Sequence, residues 1–273
     1  MSENSMFFSL LMAVCKKDDP TFLFEALKSI ANNSLQPTEV ILVEDGPITR
    51  ELRKVINGWS NVLNIKSIGL ERNSGLGAAL NEGLKHCKYE VIVRADADDI
   101  NRPNRFQCQL NYLLQNPDID ILSSWVEEFS VIPGDKTKVR KVPPQQSLDI
   151  FSKKRCPFNH PAVCFRKKTI LSLGGYGNEH LYEDYSLWMK MLNSGCKGDN
   201  IQEILVDMRF SDEALKRRGG IKYALSELRT QWNFYVLNYI SLPRFVSNAI
   251  CRTSVRIIPN KIRVSLYKIF LRS

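Results

Sequence analysis

A chain of 273 residues that is 44% hydrophobic and 25% charged can bury a sizeable core, which excludes a disordered or fibrous protein. Its seven cysteines are scattered with no Cys-x-x-Cys pair, which excludes a disulfide framework or structural zinc site and predicts free thiols in a reducing compartment. The net charge is +9, and eight of those charges lie after Leu228, where Arg229, Arg244, Arg252, Arg256, Lys261, Arg263, Lys268 and Arg272 stand with no acidic residue. A general nucleic-acid binder carries its basic stripe on the folded body instead, so no nucleic-acid partner is expected.

The opening apolar run, Met6 to Cys15, is too short to span a bilayer and lacks a basic leader, so no signal peptide is expected and a cytoplasmic protein is predicted. Phe7 to Val14 has the continuous apolar character of a buried parallel strand. A helix follows over Phe22 to Ile30, with Phe22, Ala26, Leu27 and Ile30 inward, Asp18 or Asp19 as cap and Pro20 in the first turn. Glu39 to Val43 is a second strand that stops at Glu44-Asp45-Gly46. Thr49 to Trp59 reads as a helix, Asn64 to Leu70 as a strand, Leu76 to His86 as a helix packed closely through Gly77, Ala78 and Ala79, and Tyr89 to Val93 as a fourth strand. This alternation predicts an open parallel sheet with helices on both faces.

Beyond it, Pro103 to Gln115 reads as a helix and Ile119 to Trp125 as a strand. The pattern then weakens between Glu127 and Asp149 into loops and an edge hairpin. Ala162 to Arg166 is a short strand, Lys168 to Leu173 a helix closed by Gly174-Gly175-Tyr176, and Glu183 to Asn193 an amphipathic helix that opens on two carboxylates. Ile201 to Met208 is a strand, 211–220 a polar loop, and basic helices complete the chain.

The fourth strand stops abruptly at Asp96-Ala97-Asp98-Asp99. Ligands of doubly wound folds sit at such strand ends, and closely spaced carboxylates suit a hard divalent cation that also holds phosphates. The plain alternative is an acidic turn capping the next helix. Glu44 and Asp45 can accept hydrogen bonds from a nucleotide or form an ordinary Asp-Gly turn. Asn73-Ser74-Gly75-Leu76-Gly77 offers helix N-terminal amides to an anion, yet matches neither dinucleotide nor P-loop spacing. Glu183 and Asp184 suit a helix N-terminus for dipole reasons, and either can also serve as a general base. Trp188 fits a core position or a sugar-stacking surface, its spacing from Tyr185 and Leu192 favouring the core. His160 precedes a proline in a rigid turn and reads as structural. Arg217 and Arg218 are a solvated charge run or a diphosphate clamp. No histidine pair has zinc-ligand spacing and no Gly-x-Ser-x-Gly occurs, which disfavours a zinc hydrolase or serine esterase.

In order and spacing, FFSLLMAVCKKD, EVILVEDGP, RNSGLGAALNEGL, ADADD, RPNRFQCQL, NPDIDILSSWVEEF, KRCPFNHPAVCFRK, GGY, EDYSLWMKML and KRRGG resemble family 2 glycosyltransferases of the GT-A fold, closest to bacterial enzymes of O-antigen and exopolysaccharide assembly. The resemblance implies a mixed, mainly parallel α/β sheet with a C-terminal basic helical extension. Residues 1–125 would form a nucleotide-sugar-binding half, 126–210 an acceptor-binding half, and 211–273 a mobile loop with amphipathic helices.

It further implies that Ala13, Glu44 and Asp45 line a uridine pocket, with Asn73, Gly75, Arg94 and Asp96 on the donor side. Asp96 and Asp98, supported by Asp99, would hold Mn²⁺ or Mg²⁺. Asp184, with Glu183 beside it, would be the catalytic base. His160, Gly175, Tyr176, Trp188, Arg217 and Arg218 would serve the acceptor side or clamp the diphosphate. Cys15 stands where the family often has tyrosine.

The implied activity is inverting transfer of glucose or galactose from a UDP-sugar to a polyprenyl-diphosphate-linked saccharide, as a β1,3 bond to GlcNAc or GalNAc. The basic tail would lie on the anionic cytoplasmic face of the inner membrane. A sugar-1-phosphate nucleotidyltransferase is the nearest competitor, but its glycine-rich phosphate loop is missing after the first strand. A basic nucleic-acid-binding protein is the other competitor, and it leaves the acidic clusters repelling phosphates.

Overall fold

A computed structural model of the chain describes residues 7–135, 138–177, 181–210 and 220–257. Its first half runs β1 (Phe8–Val14), α1 (Pro20–Ala31), β2 (Glu39–Glu44), α2 (Arg50–Leu63), β3 (Ile65–Gly69), α3 (Leu76–His86) and β4 (Val91–Arg94). Then come β5 (Ile100–Asn101), α4 (Arg105–Gln115), β6 (Ile121–Phe129), β7 (Lys138–Arg140), α5 (Gln145–Ser152), β8 (Cys164–Arg166), α6 (Lys167–Ser172), α7 (Glu183–Asn193), β9 (Gly198–Arg209), α8 (Ile221–Val236) and α9 (Leu242–Ile257).

The strands form one sheet in the order β3-β2-β1-β4-β8-β6-β9-β5, with β7 paired on β6. The expected parallel sheet is present in β3-β2-β1-β4, where Ala13 pairs with Val43 and Leu11 with Arg94. Beyond β4 the sheet is mixed. The strand β8 runs antiparallel to β4, through Val93 and Cys164, while β6 and β9 are parallel to each other.

Alternation along β1 builds two cores. Phe8, Leu10, Met12 and Val14 face a layer that includes Leu23, Ala26, Leu27 and Ile30 of α1, Leu52 and Ile56 of α2, and Phe106 and Leu110 of α4. Leu11 faces the opposite layer with Leu80 and Leu84 of α3 and Leu187, Trp188 and Met191 of α7. A buried strand hydrophobic on both sides requires helices on both faces. Helix α3 lies flush on the sheet because Gly83 has no side chain: a Cβ there would sit 2.4 Å from Leu11 Cδ1 and 2.8 Å from Val43 Cγ2.

Local signals explain most boundaries. Asp19 caps α1, its carboxylate accepting from the Thr21 amide at 2.7 Å, and Pro20 opens the helix. Thr49 caps α2, and Asn64 ends it in a left-handed conformation. Two elements depart from expectation. Within the weak stretch after Glu127, β7 is the edge hairpin but α5 is an unexpected helix, and the two-residue β5 exists only through its pairing with β9. In α1, Leu23 rather than Phe22 enters the core; Phe22 stays half-buried and carries the Arg209 guanidinium, 3.8 Å from its ring centroid.

Candidate active site

The end of β4 is held from behind by buried charge. Arg105, 0% exposed on α4, donates to the Arg94 carbonyl at 2.7 Å, to Gln109 Oε1 at 3.1 Å and to Asn101 Oδ1. Gln109 in turn donates to the Ala162 carbonyl at 2.7 Å, beside the turn that carries His160. Burial pulls the Arg105 guanidinium down to about 9.

In front of this support stands the acidic cluster. Asp96, Asp98 and Asp99 each offer a carboxylate oxygen within 4.8 Å of the others. Arg94, itself buried, donates both terminal nitrogens to the two oxygens of Asp96, one at 2.5 Å. Asp99 is buried; its Oδ1 accepts from the Arg209 amide at 2.7 Å, and its Oδ2 has no hydrogen-bond partner. Desolvation and the charges of Asp96 and Asp98 push its carboxyl well up. Asp98 is exposed and so open to a ligand. The protein around the sheet edge still strips part of its hydration and, with Asp96 and Asp18 beside it, pushes its carboxyl up to about 6. An orphan buried oxygen and mutually repelling carboxylates fit the oxygen donor set of a hard divalent cation.

Two further strand ends converge on the cluster. Asp18 folds back after β1, accepting from the Cys15 amide at 2.7 Å; burial, opposed by that hydrogen bond, and the charges of Asp96 and Asp45 raise its carboxyl. Asp45 organises the loop before α3, with its carboxylate accepting from the Ser74 amide at 2.6 Å, the Gly75 amide at 3.0 Å and Asn73 Nδ2 at 2.9 Å. Gly46 permits this contact. Its φ is +84°, and a Cβ there would meet the Asn73 nitrogen at 2.6 Å. Ala13, partly buried on β1, packs on the same core as α3.

The GGY turn is docked on α3 by a reciprocal pair: the Tyr176 amide donates to Asn81 Oδ1 and Asn81 Nδ2 donates to the Tyr176 carbonyl, both at 2.8 Å. Gly175 has φ +73°, and a Cβ there would lie 2.3 Å from Asn81 Oδ1. A Cβ on Gly77 would sit 3.3 Å from that of Tyr176 and 3.4 Å from that of Glu183. The start of α3, the GGY turn and the start of α7 therefore touch.

The Tyr176 hydroxyl lies 3.0 Å from His160 Nε2. Burial raises its phenol, Arg94 opposes this, and Asp184, Glu183 and Asp96 reinforce it. Tyr176 is thus within electrostatic reach of both acidic groups. His160, partly shielded, is pushed well below the usual imidazole range by desolvation and by Arg94, so it is neutral. Asp184 Oδ1 accepts from the Tyr185 amide at 2.7 Å, inside the first turn of α7.

Several expected roles change. Trp188 is 0% exposed among Phe158, His160, Phe165 and Tyr176, so it is core and cannot stack on an acceptor sugar. Glu44 is 3% exposed and is taken by Arg53 and Ser67, so it braces β2 and does not face a base. Arg94 spends both terminal nitrogens on Asp96 and so touches the donor side only through that carboxylate. Arg217 and Arg218 lie outside the described residues. Asp18, Arg105 and Gln109 were not foreseen; the only sequence signal was a polar i, i+4 pair, Arg105 and Gln109, on the otherwise apolar face of α4.

A sheet whose parallel half ends in a cation-ready acidic cluster, with a second acidic pair across a tyrosine from it, is the arrangement of a GT-A glycosyltransferase. The family model "Glycosyl transferase family 2" matches residues 9–173, and the chain belongs to that family; this sets aside the nucleotidyltransferase alternative. It is 56% identical over 272 residues to an Escherichia coli UDP-Gal:alpha-D-GlcNAc-diphosphoundecaprenol beta-1,3-galactosyltransferase, covering 100% of this chain and 99% of the relative. It is 33% identical to the amylovoran biosynthesis glycosyltransferase AmsE of Erwinia amylovora, covering 96% and 98%. Among solved structures, the mannosyltransferase PcManGT of Pyrobaculum calidifontis in complex with GDP-Man and Mn²⁺ superposes with a TM-score of 0.62 at 16% identity, over 96% of this chain and 75% of the other, which establishes the shared fold.

Proposed function

We propose that this glycosyltransferase moves galactose from UDP-galactose to a GlcNAc-diphosphate-lipid, forming a β1,3 bond in assembly of a surface polysaccharide repeat unit. The observation that carries the reading is the 56% identity, end to end, with a relative of that printed activity. It narrows the donor from glucose or galactose, and the acceptor from GlcNAc or GalNAc, to the second and first of each pair.

Residues 1–125 form the donor half in this reading, 126–210 the acceptor half and 211–273 the loop and basic helices. Asp45 and the loop at Asn73 and Gly75 receive the uridine beside Ala13; Asp45 Oδ1, which accepts from the Ser74 amide, retains a further lone pair for a base N–H. Asp96, Asp98 and Asp99 hold the divalent cation. Mn²⁺ or Mg²⁺ at that position supplies neutralisation of charge on the departing diphosphate. Arg94 holds Asp96 in place through both carboxylate oxygens. Asp184 takes the proton of the acceptor hydroxyl, whose oxygen attacks the anomeric carbon from the face opposite UDP, inverting the configuration. Glu183 sits against the start of α3 and borders that base. Neutral His160 and Tyr176, braced by Gly175, shape the wall between the two acidic groups.

A lipid-linked acceptor places the enzyme at the cytoplasmic face of the inner membrane. Among the described residues no helix is long and apolar enough to cross a bilayer, so the association in this reading is peripheral.

The test is a panel of UDP-sugars against synthetic GlcNAc- and GalNAc-diphosphate-lipids, with and without a chelator, and NMR of the product. β1,3-galactosyl-GlcNAc that disappears on chelation is expected. Preference for UDP-glucose would overturn the donor, and activity indifferent to chelation would overturn the cation.

A further inference from the structure

The hairpin of α8 and α9 divides its apolar side chains between two faces. Inward, Phe234 packs edge-on against Tyr185 at 4.9 Å, beside a buried polar cluster: Glu227 is 0% exposed and pairs with Arg252 Nε at 2.7 Å, with Arg256 at 3.4 Å and with the Tyr182 hydroxyl at 2.5 Å. Gln231 and Asn248, both buried, join the two helices at 2.8 Å, and Asn248 also donates to the Lys153 carbonyl. A second set of apolar side chains points outward. Leu225 is 60% exposed, Trp232 49%, Val246 45% and Ile250 63%. Leu225, Leu228, Arg229, Trp232 and Phe245 line a groove of about 440 Å³, and Trp232 packs edge-on against Phe245 at 5.6 Å. A water-soluble hairpin buries its aliphatic stripe, so an exposed one marks a surface with an occupant.

Charge identifies the occupant. Glu227 is the sole acidic residue between Gly220 and Ile257, and it faces inward. The outward charges are all positive: Lys222 and Arg229 are exposed and Arg244 is partly so. Leucine, isoleucine and tryptophan with interspersed arginine and no carboxylate is the composition of an interfacial helix on anionic lipid.

We infer that the outward face of α8 and α9 docks on an anionic lipid bilayer, with Trp232 and Phe245 entering the boundary between headgroups and acyl chains. The purpose of this docking rests on the proposed lipid-linked acceptor; its location rests on the side chains just described. Tyr182, the partner of Glu227, directly precedes Glu183 and Asp184, so the docked hairpin sets the position of the acidic pair relative to the bilayer.

The test uses the full chain with vesicles of phosphatidylcholine alone or mixed with phosphatidylglycerol. Flotation with the anionic vesicles only is expected, along with quenching of tryptophan fluorescence by brominated lipid. Trp232→Phe should keep flotation and lose most of the quenching. The pair Leu225→Glu and Trp232→Glu should weaken partition roughly tenfold or more. The pair Arg229→Glu and Arg244→Glu, which leaves the apolar face intact, should weaken it on anionic vesicles with an unchanged circular dichroism spectrum. Galactosyl transfer to a water-soluble short-chain acceptor should be unaffected in both pairs.

Flotation unchanged in both pairs overturns the inference, since another part of the chain then binds. Absence of wild-type flotation, with a dimer in solution that Trp232→Glu dissociates, also overturns it and assigns the face to a second copy of this chain. Flotation as expected with no wild-type transfer to any acceptor defeats the functional reading and leaves the docking surface standing.

Discussion

The guanidinium of Arg94, 2% exposed, donates to both carboxylate oxygens of Asp96, and its own carbonyl is held by the buried Arg105. Two arginines in tandem thus set the position of the first aspartate of the acidic cluster. Arg94→Ala leaves Asp96 beside Asp98 and Asp99 with no counter-charge. Because Asp96 is nearly a third exposed, water screens part of the loss, and a destabilisation of about 2–3 kcal/mol is expected. Arg94→Lys restores the charge but not the fork. It should recover stability better than transfer, as read by thermal unfolding and by the galactosyl assay.

Asp98→Asn and Asp184→Ala should each reduce transfer, for different reasons. Loss of a cluster carboxylate weakens donor and cation together, so calorimetric UDP binding in the presence of Mn²⁺ should fall. Loss of the base should cost roughly 10²–10⁴-fold in turnover while UDP binding survives. An Asp184→Ala enzyme of undiminished activity would sink the base assignment.

The cluster also predicts a pH-dependent response to metal. Asp98 and Asp99 carry raised carboxyls, Asp98 at about 6. The cation-free folded state therefore binds protons more tightly than the unfolded chain. The stability these two groups contribute is fully present below the ordinary carboxylate range and is lost as pH rises through their raised values. A cation requires the deprotonated forms. The increase in Tm on adding Mn²⁺ should be largest near neutral pH and shrink as pH falls below about 6. An increment independent of pH over that window would count against the carboxylates as ligands.

Glu227 ties α8 and α9 to the residue that precedes the acidic pair of α7. Glu227→Gln leaves Arg252 and Arg256 facing a neutral amide inside the protein, and a loss of about 3 kcal/mol or more is expected. Tyr182→Phe keeps both ion pairs and removes the hydroxyl that donates to Glu227 and accepts from Arg256 at 3.5 Å, for a cost of about 1–2 kcal/mol. If the clamp also aligns Asp184, turnover should fall in Tyr182→Phe at temperatures where circular dichroism shows a fully folded protein.

Much of the fold is legible in the residues themselves. The helix over Leu76 to His86 and the one over Glu183 to Asn193 have the expected bounds, because apolar period and terminal residues are local properties. The buried run of β1 reads as a strand for the same reason. The acidic cluster is visible as three carboxylates at the end of an apolar strand, and the three are close in space.

The pairing of charges is another matter. Glu44 and Asp45 are adjacent and chemically alike, yet Glu44 braces Arg53 while Asp45 orders a loop 28 to 30 residues away. Asp18 and Asp19 both suit a helix cap; Asp19 takes that role and Asp18 turns toward Asp96. Arg94, Arg105 and Trp188 are buried against partners brought by other elements. Sequence by itself determined the strand and helix rhythm and the residue types at the strand ends, since these follow from local periodicity and backbone preference. Only the tertiary structure decided which carboxylate meets an arginine, which meets an amide and which is left with an orphan oxygen. Those choices depend on long-range neighbours and on how much water the packing leaves around each charge.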